Sequence, residues 1–247
     1  MPVIECGTRQ FEAIEAIIFD KDGTLCDCAE YLRNLAQRRA RRLDARVPGV
    51  GDPLLLAFGV ERNVLNPDGL LNVGTRQENE IAAAAYLAET GLGWLEAVRL
   101  AVEGFKEAEE QFSRLQYAPI FSDTIPTLEK LHRAGLKLAI LSSDTTNNVE
   151  QFSAHYRLGE WVQVTQGADG LAQVKPDPTV FWQLCKRLGV SPQATLIVGD
   201  SPVDIALARR GAAAGAIAVA RGASPVEALA EADCVLETLA GIAIQPV

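Results

Sequence analysis

From Pro119 onward the chain alternates short apolar runs with amphipathic segments, and this alternation restricts the possible folds more than any other feature. The helical pattern TIPTLEKLHRAG leads to the strand pattern LKLAILS, TTNNVEQFSAHY to WVQVTQ, PTVFWQLCKRLG to TLIVGD and PVDIALARRG to AIAVA, with CVLE as a last short strand. Strands joined through helices run parallel, because a parallel partner needs a long crossover, and the crossovers are right-handed. Such strands are covered on both faces and read as continuous apolar runs. Residues 14–19 (IEAIIF) share this texture: they are short, rich in isoleucine and end at Asp20, which predicts one more buried strand. We therefore expect an α/β fold whose core is a parallel sheet.

A block of different character interrupts this pattern. EYLRNLAQRRARRLDAR, ENEIAAAAYLAET and WLEAVRLAVEGFKEAEEQF all have helical periodicity, separated by turn-rich pieces such as NPDG and GLG. No strand pattern stands out within it, so we expect an all-helical insertion over residues 29–115 in a core made of residues 1–28 and 116–247. A length of 247 residues suits one core plus an insertion. Apolar residues at 48 % and charged residues at 22 % exclude a mainly disordered chain. A net charge of −9 excludes nucleic acid as a general partner, because phosphate backbones are repelled. It leaves room for a small anionic substrate, since a metal inverts the local field.

The N-terminal stretch has acids where a signal peptide needs bases, and no apolar run approaches the roughly 20 residues that span a bilayer. A cytoplasmic protein without a membrane partner is expected. Five scattered cysteines (Cys6, Cys26, Cys28, Cys185, Cys234) argue against a disulfide framework and suit a reducing compartment. Cys26 and Cys28 have no further Cys or His nearby for a zinc site and read as small, partly buried side chains. The oligomeric state is not legible.

Three strand patterns end in residues that can do chemistry: IIF at Asp20, AIL at Ser142 and LIV-Gly at Asp200. Ligands of open parallel sheets bind beyond the carboxyl ends of the strands, so residues far apart in sequence converge there. A carboxylate in water has a pKa of about 4 and is ionised at neutral pH, so Asp20 can attack without a partnering base. Attack on a phosphate monoester brings two anions together and needs a cation. Asp20 and Asp200 are hard oxygen ligands suited to Mg²⁺. Asp22 is then available to protonate the leaving oxygen and to deprotonate a water. Lys175, in VKPDP, can balance phosphoryl charge, Ser142 can donate a hydrogen bond, and Gly23 lets backbone approach closely. Singly, these are ordinary turn, cap and loop residues; together, in this order and at these strand ends, they read as one site.

With these residues the chain resembles the haloacid dehalogenase-like hydrolase superfamily. IIFDKDGTL matches its first motif, LAILSS the second, VKPDP the third and VGDSPVD the fourth, over residues 14 to about 220. The subgroup it resembles is that of the phosphoglycolate-phosphatase-like enzymes, which insert a helical cap just after the first motif. The resemblance implies a Rossmann-like parallel-sheet core with a cap and Asp20 as nucleophile. It also implies Asp22 as general acid/base, and Gly23, Ser142, Ser143 and Lys175 around the phosphoryl group. Mg²⁺ would be held by the Asp20 and Asp200 carboxylates and the Asp22 main-chain carbonyl. Asp204 would either support the metal or bind Lys175. The implied activity is Mg²⁺-dependent hydrolysis of a small-molecule phosphate ester, phosphoglycolate or similar, through an aspartyl-phosphate. The alternatives are a phosphomutase of the β-phosphoglucomutase type and a non-catalytic binding or regulatory protein. Thr24 after DKDG favours hydrolysis, because the mutase tends to have Val there.

Two positions depart from the family pattern. Ser143 stands where Asn is frequent, and Lys21 stands where an apolar residue is usual. Lys21 reads as an exposed structural lysine or, alternatively, as a contact for an acidic substrate. In the first inserted helix Arg39 falls inside the apolar stripe of Leu32, Leu35, Ala36, Ala40 and Leu43. A cation on an apolar face must be paired or must face a site. Arg39 is therefore either half of an intracap ion pair or a contact for the substrate's leaving group, and Arg76 is a second candidate for the latter. His132 and His155 read as structural.

Overall fold

The structure, a computed structural model, describes residues 2–62, 64–66, 68–110, 112, 117–169 and 173–245. The chain divides into two compact units, one formed by Met1–Asp27 with Pro119–Val247 and the other by Cys28–Ala118. No helix among the described residues is long and apolar enough to cross a membrane.

The larger unit opens on a hairpin, β1 (Val3–Cys6) and β2 (Arg9–Phe11), followed by the short strand β3 (Ala16–Phe19). The chain then leaves for the second unit. There it forms α1 (Ala29–Asp44), α2 (Gly51–Ala57), the strands β4 (Val60–Glu61) and β5 (Val64–Leu65), α3 (Leu70–Val73), α4 (Arg76–Glu89) and α5 (Trp94–Glu109). The expectation of an all-helical insertion is corrected by the β4–β5 pair, which is antiparallel with Val60 opposite Leu65. Strands of two residues carry too little periodicity to be read from sequence. The three long helices are those the periodicity predicts, and α4 starts on a full capping box between Thr75 and Glu78.

On its return the chain alternates as expected: α6 (Thr124–Arg133), β6 (Lys137–Leu141), α7 (Thr146–His155), β7 (Val162–Gln166), α8 (Pro178–Leu188), β8 (Thr195–Gly199), α9 (Pro202–Gly211), β9 (Gly215–Val219) and β10 (Cys234–Leu236). The starts of three helices are set by local chemistry. The side chains of Thr145, Asp177 and Ser201 accept the N–H groups of Asn148, Thr179 and Asp204, and α8 and α9 have proline at their first position. The six core strands lie in the order β10-β9-β8-β3-β6-β7, all parallel. Alternate residues of the strands face opposite ways. Ala16, Ile18, Ala139, Leu141, Ile197, Ala216 and Ala218 pack with Phe181, Leu184 and Leu207 of α8 and α9. Ile17, Phe19, Leu138 and Ile140 are also buried, so both faces are covered.

A second, three-stranded antiparallel sheet joins the ends of this unit. β1 pairs with β2 and with β11 (Ile242–Gln245), placing Cys6 opposite Ile242. Beside it Cys6 forms a disulfide with Cys234 of β10, with 6.1 Å between their Cα atoms. This corrects the reading of five unlinked cysteines; Cys26, Cys28 and Cys185 are buried and not disulfide-bonded. The bridge closes a loop of 228 residues, and cross-linking so long a loop removes much conformational freedom from the unfolded chain. Thiol titration of the denatured, unreduced protein should find three free thiols, and Cys6→Ser should cost about 2–4 kcal/mol in a urea titration. Five titrating thiols would show that the cross-link does not form.

Candidate active site

β3 lies between β6 and β8, with Phe19 level with Ile140 on one side and Val198 on the other. The residues just past these strands therefore share one edge of the sheet: Asp20, Ser142 and Asp200. The Asp20 N–H donates to the Val198 carbonyl at 2.8 Å and extends the ladder by one step. Asp204, in the first turn of α9, completes the group. Carboxylate oxygens of Asp20, Asp200 and Asp204 lie within 4.8 Å of one another, and all three residues are buried. Lys175 Nζ, on a side chain only 5 % exposed, donates to Asp20 Oδ1 at 2.6 Å and to Asp204 Oδ1 at 2.8 Å. Ser201 Oγ donates to the other Asp204 oxygen at 2.6 Å, and Thr24 Oγ1 to Asp200 Oδ1 at 3.3 Å. Gly23 has φ +79, and a β-carbon there would lie 2.3 Å from Asp200 Oδ2. Both the backbone conformation and the space require glycine.

Three buried carboxylates meet one ammonium, and their acidities record the imbalance. Burial pushes the Asp20 carboxyl up to about 7; Lys175 opposes the rise, while Asp204 and Asp22 add to it. Burial, with Asp20 and Asp204 nearby, also holds Asp200 well above the usual carboxylate range. Burial alone would depress Lys175, but Asp20 and Asp204 hold its ammonium above the ordinary lysine value. An all-oxygen donor set with surplus negative charge fits a hard divalent cation. Without a cation, folded Asp20 keeps its proton up to about pH 7, whereas the unfolded chain releases it near 3.8. The folded state then binds more protons across that window, so stability falls as pH rises through it. Urea titrations of metal-free protein should show this fall from about pH 4 upward, and Asp20→Asn should make it shallower, leaving the part that belongs to Asp200. A slope undiminished by the substitution would assign it to groups other than Asp20.

The remaining motif residues lie around this cluster. Ser142 is buried and its Oγ accepts the Asp144 N–H at 3.1 Å; Ser143, beside it, is partly buried. Of the two roles expected for Asp204, the structure contains the contact with Lys175. The reading of Lys21 as exposed is corrected: its side chain is 0 % exposed, donates to both Asp22 oxygens at 2.6 Å and lies 3.3 Å from Asp144 Oδ2. Its ammonium also sits 5.8 Å from the centre of the Phe152 ring. A buried lysine is tolerable because it is paired. His132 and His155 are on α6 and α7, where they meet Gln163 and the ring of Tyr156. Sequence reasoning used Thr24 only to separate hydrolysis from the mutase reaction and missed its bond to Asp200, and it missed Ser201, Asp144 and Gly222, a residue whose β-carbon would strike Asp200. The Ser-x-x-Asp spacing of a helix start signals Ser201, and a glycine just past the strand pattern AIAVA signals Gly222.

In the second unit the two candidate arginines share one acid. Arg39 Nη2 donates to Glu109 Oε1 at 2.5 Å, and Arg76 Nη1 donates to Glu109 Oε2 while its Nε reaches Glu80 at 2.8 Å. Arg39 is 5 % exposed and stacks 4.2 Å from the centre of the Phe105 ring. Its place in the apolar stripe of α1 is thus explained by pairing within the unit. Arg39→Ala should cost about 1.5–3 kcal/mol in stability. It should change kcat/KM by the same factor for substrates with and without a second anionic group. A KM increase confined to doubly anionic substrates would place Arg39 against the substrate.

Comparison with known proteins agrees with this geometry. The family model for haloacid dehalogenase-like hydrolases matches residues 14–211. Phosphoglycolate phosphatase 1 of Pseudomonas aeruginosa is 27% identical over 193 residues, covering 78% of this chain and 65% of that protein, just under two thirds of its length. The phosphoglycolate phosphatase of Aliivibrio fischeri is 27% identical over 200 residues, 81% of each chain. A "predicted phosphoglycolate phosphatase" from Haemophilus somnus has the same fold, with a TM-score of 0.69, 22% identity and coverage of 92% of this chain and 96% of that one. The chain belongs to the haloacid dehalogenase-like hydrolase family, whose model spans most of its length.

Proposed function

We propose that the protein is a Mg²⁺-dependent phosphatase that hydrolyses a small phosphate monoester, phosphoglycolate or a similar acid, through an aspartyl-phosphate on Asp20. The observation that carries this reading is the buried Asp20–Asp200–Asp204 group with Lys175 at one edge of the parallel sheet. Asp20 attacks phosphorus, the bond to the leaving oxygen breaks, and Asp22 gives that oxygen its proton. Asp22 then takes a proton from the water that attacks the acyl phosphate, which frees Asp20 and inorganic phosphate. Lys175, Ser142, Ser143 and the backbone at Gly23 hold the phosphoryl oxygens. Asp20, Asp200 and the Asp22 carbonyl would hold Mg²⁺, which supplies the positive charge that lets two anions meet. Phosphoglycolate comes from the names of relatives at 27% identity, and its carboxylate is a feature a substrate panel can probe.

Phosphate release from a panel of esters, with and without Mg²⁺, tests the reading. Turnover should require the metal and stop in excess chelator; full activity in chelator would overturn the metal assignment. Asp20→Asn should abolish turnover without unfolding the protein. Asp22→Asn should lower kcat by about 10²–10⁴-fold. Undiminished phosphate release by the Asp20 variant would exclude the aspartyl-phosphate.

A further inference from the structure

Asp200 is held between two stretches of backbone. A β-carbon on Gly23 would lie 2.3 Å from Asp200 Oδ2, and one on Gly222 would lie 1.7 Å from the same atom. The two glycines belong to separate loops, one after β3 and one after β9, and nothing in their own sequence keeps the loops together. Arg221 connects them. It directly precedes Gly222, and its Nη2 donates to the main-chain carbonyl of Thr24, the neighbour of Gly23. Thr24 in turn donates its hydroxyl to Asp200.

The guanidinium is itself fixed in place. Nη1 donates to both oxygens of Asp123, at 2.6 and 2.8 Å, and the group lies 4.0 Å from the centre of the Phe121 ring. Asp123 is anchored in its turn by the N–H groups of Leu239 and Ala240. The arginine side chain is 11 % exposed. A rigid, planar fork can serve a carboxylate and a carbonyl at once, which a lysine cannot do with the same geometry. A pair serving stability alone could sit anywhere on the surface. This one sits where the two loops that confine Asp200 come together.

We infer that Arg221, fixed by Asp123, is a positioning residue: it clamps the Gly23–Thr24 and Gly222 backbones on either side of Asp200 and so presets that carboxylate for the divalent cation. Arg221 acts through the backbone and through Thr24, not on the cation. The inference rests on the metal reading given under Proposed function. Loss of a group that orients a metal ligand typically costs 10–100-fold in metal affinity.

The test is a Mg²⁺ titration of the full chain by isothermal titration calorimetry, alongside thermal melting in chelator and in Mg²⁺. Wild type, Arg221→Met and Arg221→Lys are compared. Wild type should bind Mg²⁺ and melt at a higher temperature with it. Arg221→Met should melt lower in chelator and bind Mg²⁺ at least about tenfold more weakly, with Arg221→Lys in between. A lower melting temperature with unchanged Mg²⁺ affinity would overturn the inference and leave Arg221 as a brace of the fold. If the Met variant does not fold, the Lys variant decides by the same criterion. Absence of any Mg²⁺ binding by wild type would remove the metal reading itself, and this inference with it; that outcome is distinct from equal affinity in all three proteins.

Discussion

The buried charge around Lys175 is the constraint on which the rest of the core depends. Three carboxylates and one ammonium out of water are costly, and they are tolerated only where each has a partner of good geometry. Lys175 satisfies Asp20 and Asp204 directly, Ser201 takes the free oxygen of Asp204, and Thr24 reaches Asp200. Each of these donors must come from a different part of the chain. That requires the order β8-β3-β6, because only a central β3 puts Asp20 beside both Asp200 and Ser142. It also requires α9 to start one residue after Ser201, since the side chain that caps the helix is the one that holds Asp204.

A group held against its own repulsion needs the surrounding structure to stay closed. Folded proteins are stable by only about 5–15 kcal/mol, so strain of this kind must be offset elsewhere. In this unit the offsets are non-local. The β1–β11 pairing and the Cys6–Cys234 bridge join the two ends of the chain. Asp123 is held below the usual carboxylate range: burial opposes this, but its bonds to Arg221 and to the Leu239 and Ala240 amides prevail. That node links the start of α6, the loop after β9 and the chain just before β11.

How far the sequence discloses this arrangement follows from the range of the interactions. The six parallel strands and the long helices were legible, because each is written in a periodicity spanning a few residues, bounded by proline, glycine or a capping side chain. Asp20, Ser142, Lys175 and Asp200 were legible because they end apolar runs or stand beside a proline in a recognisable order. β1, β2 and β11 were not: three short, largely half-exposed strands have little pattern, and β1 finds β11 only from the far end of the sequence. Cys6 and Cys234 were misread for the same reason, since 228 residues separate them. Lys21 was misread because its Asp144 partner lies on a distant loop, and one residue's periodicity does not say whether its side chain turns inward.

Lys21, Arg39 and Lys175 are all cations out of water, yet they imply different things, and the difference lies in the balance of charge around them. In the second unit two guanidiniums, Arg39 and Arg76, meet two carboxylates, Glu109 and Glu80, and the set is neutral as it stands. Such a cluster has no electrostatic need of a ligand, and a substrate anion would have to displace Glu109 to enter it. Around Lys175 one ammonium meets Asp20 and Asp204 with Asp200 close by, and burial together with repulsion among the carboxylates holds the Asp20 and Asp200 carboxyls above their ordinary pKa. Lys21 is paired by Asp22 beside it and by Asp144 from the loop after β6. The surplus carboxylates of this buried set call for a cation from outside the chain. A phosphate ester, itself an anion, can approach them only when that cation is present.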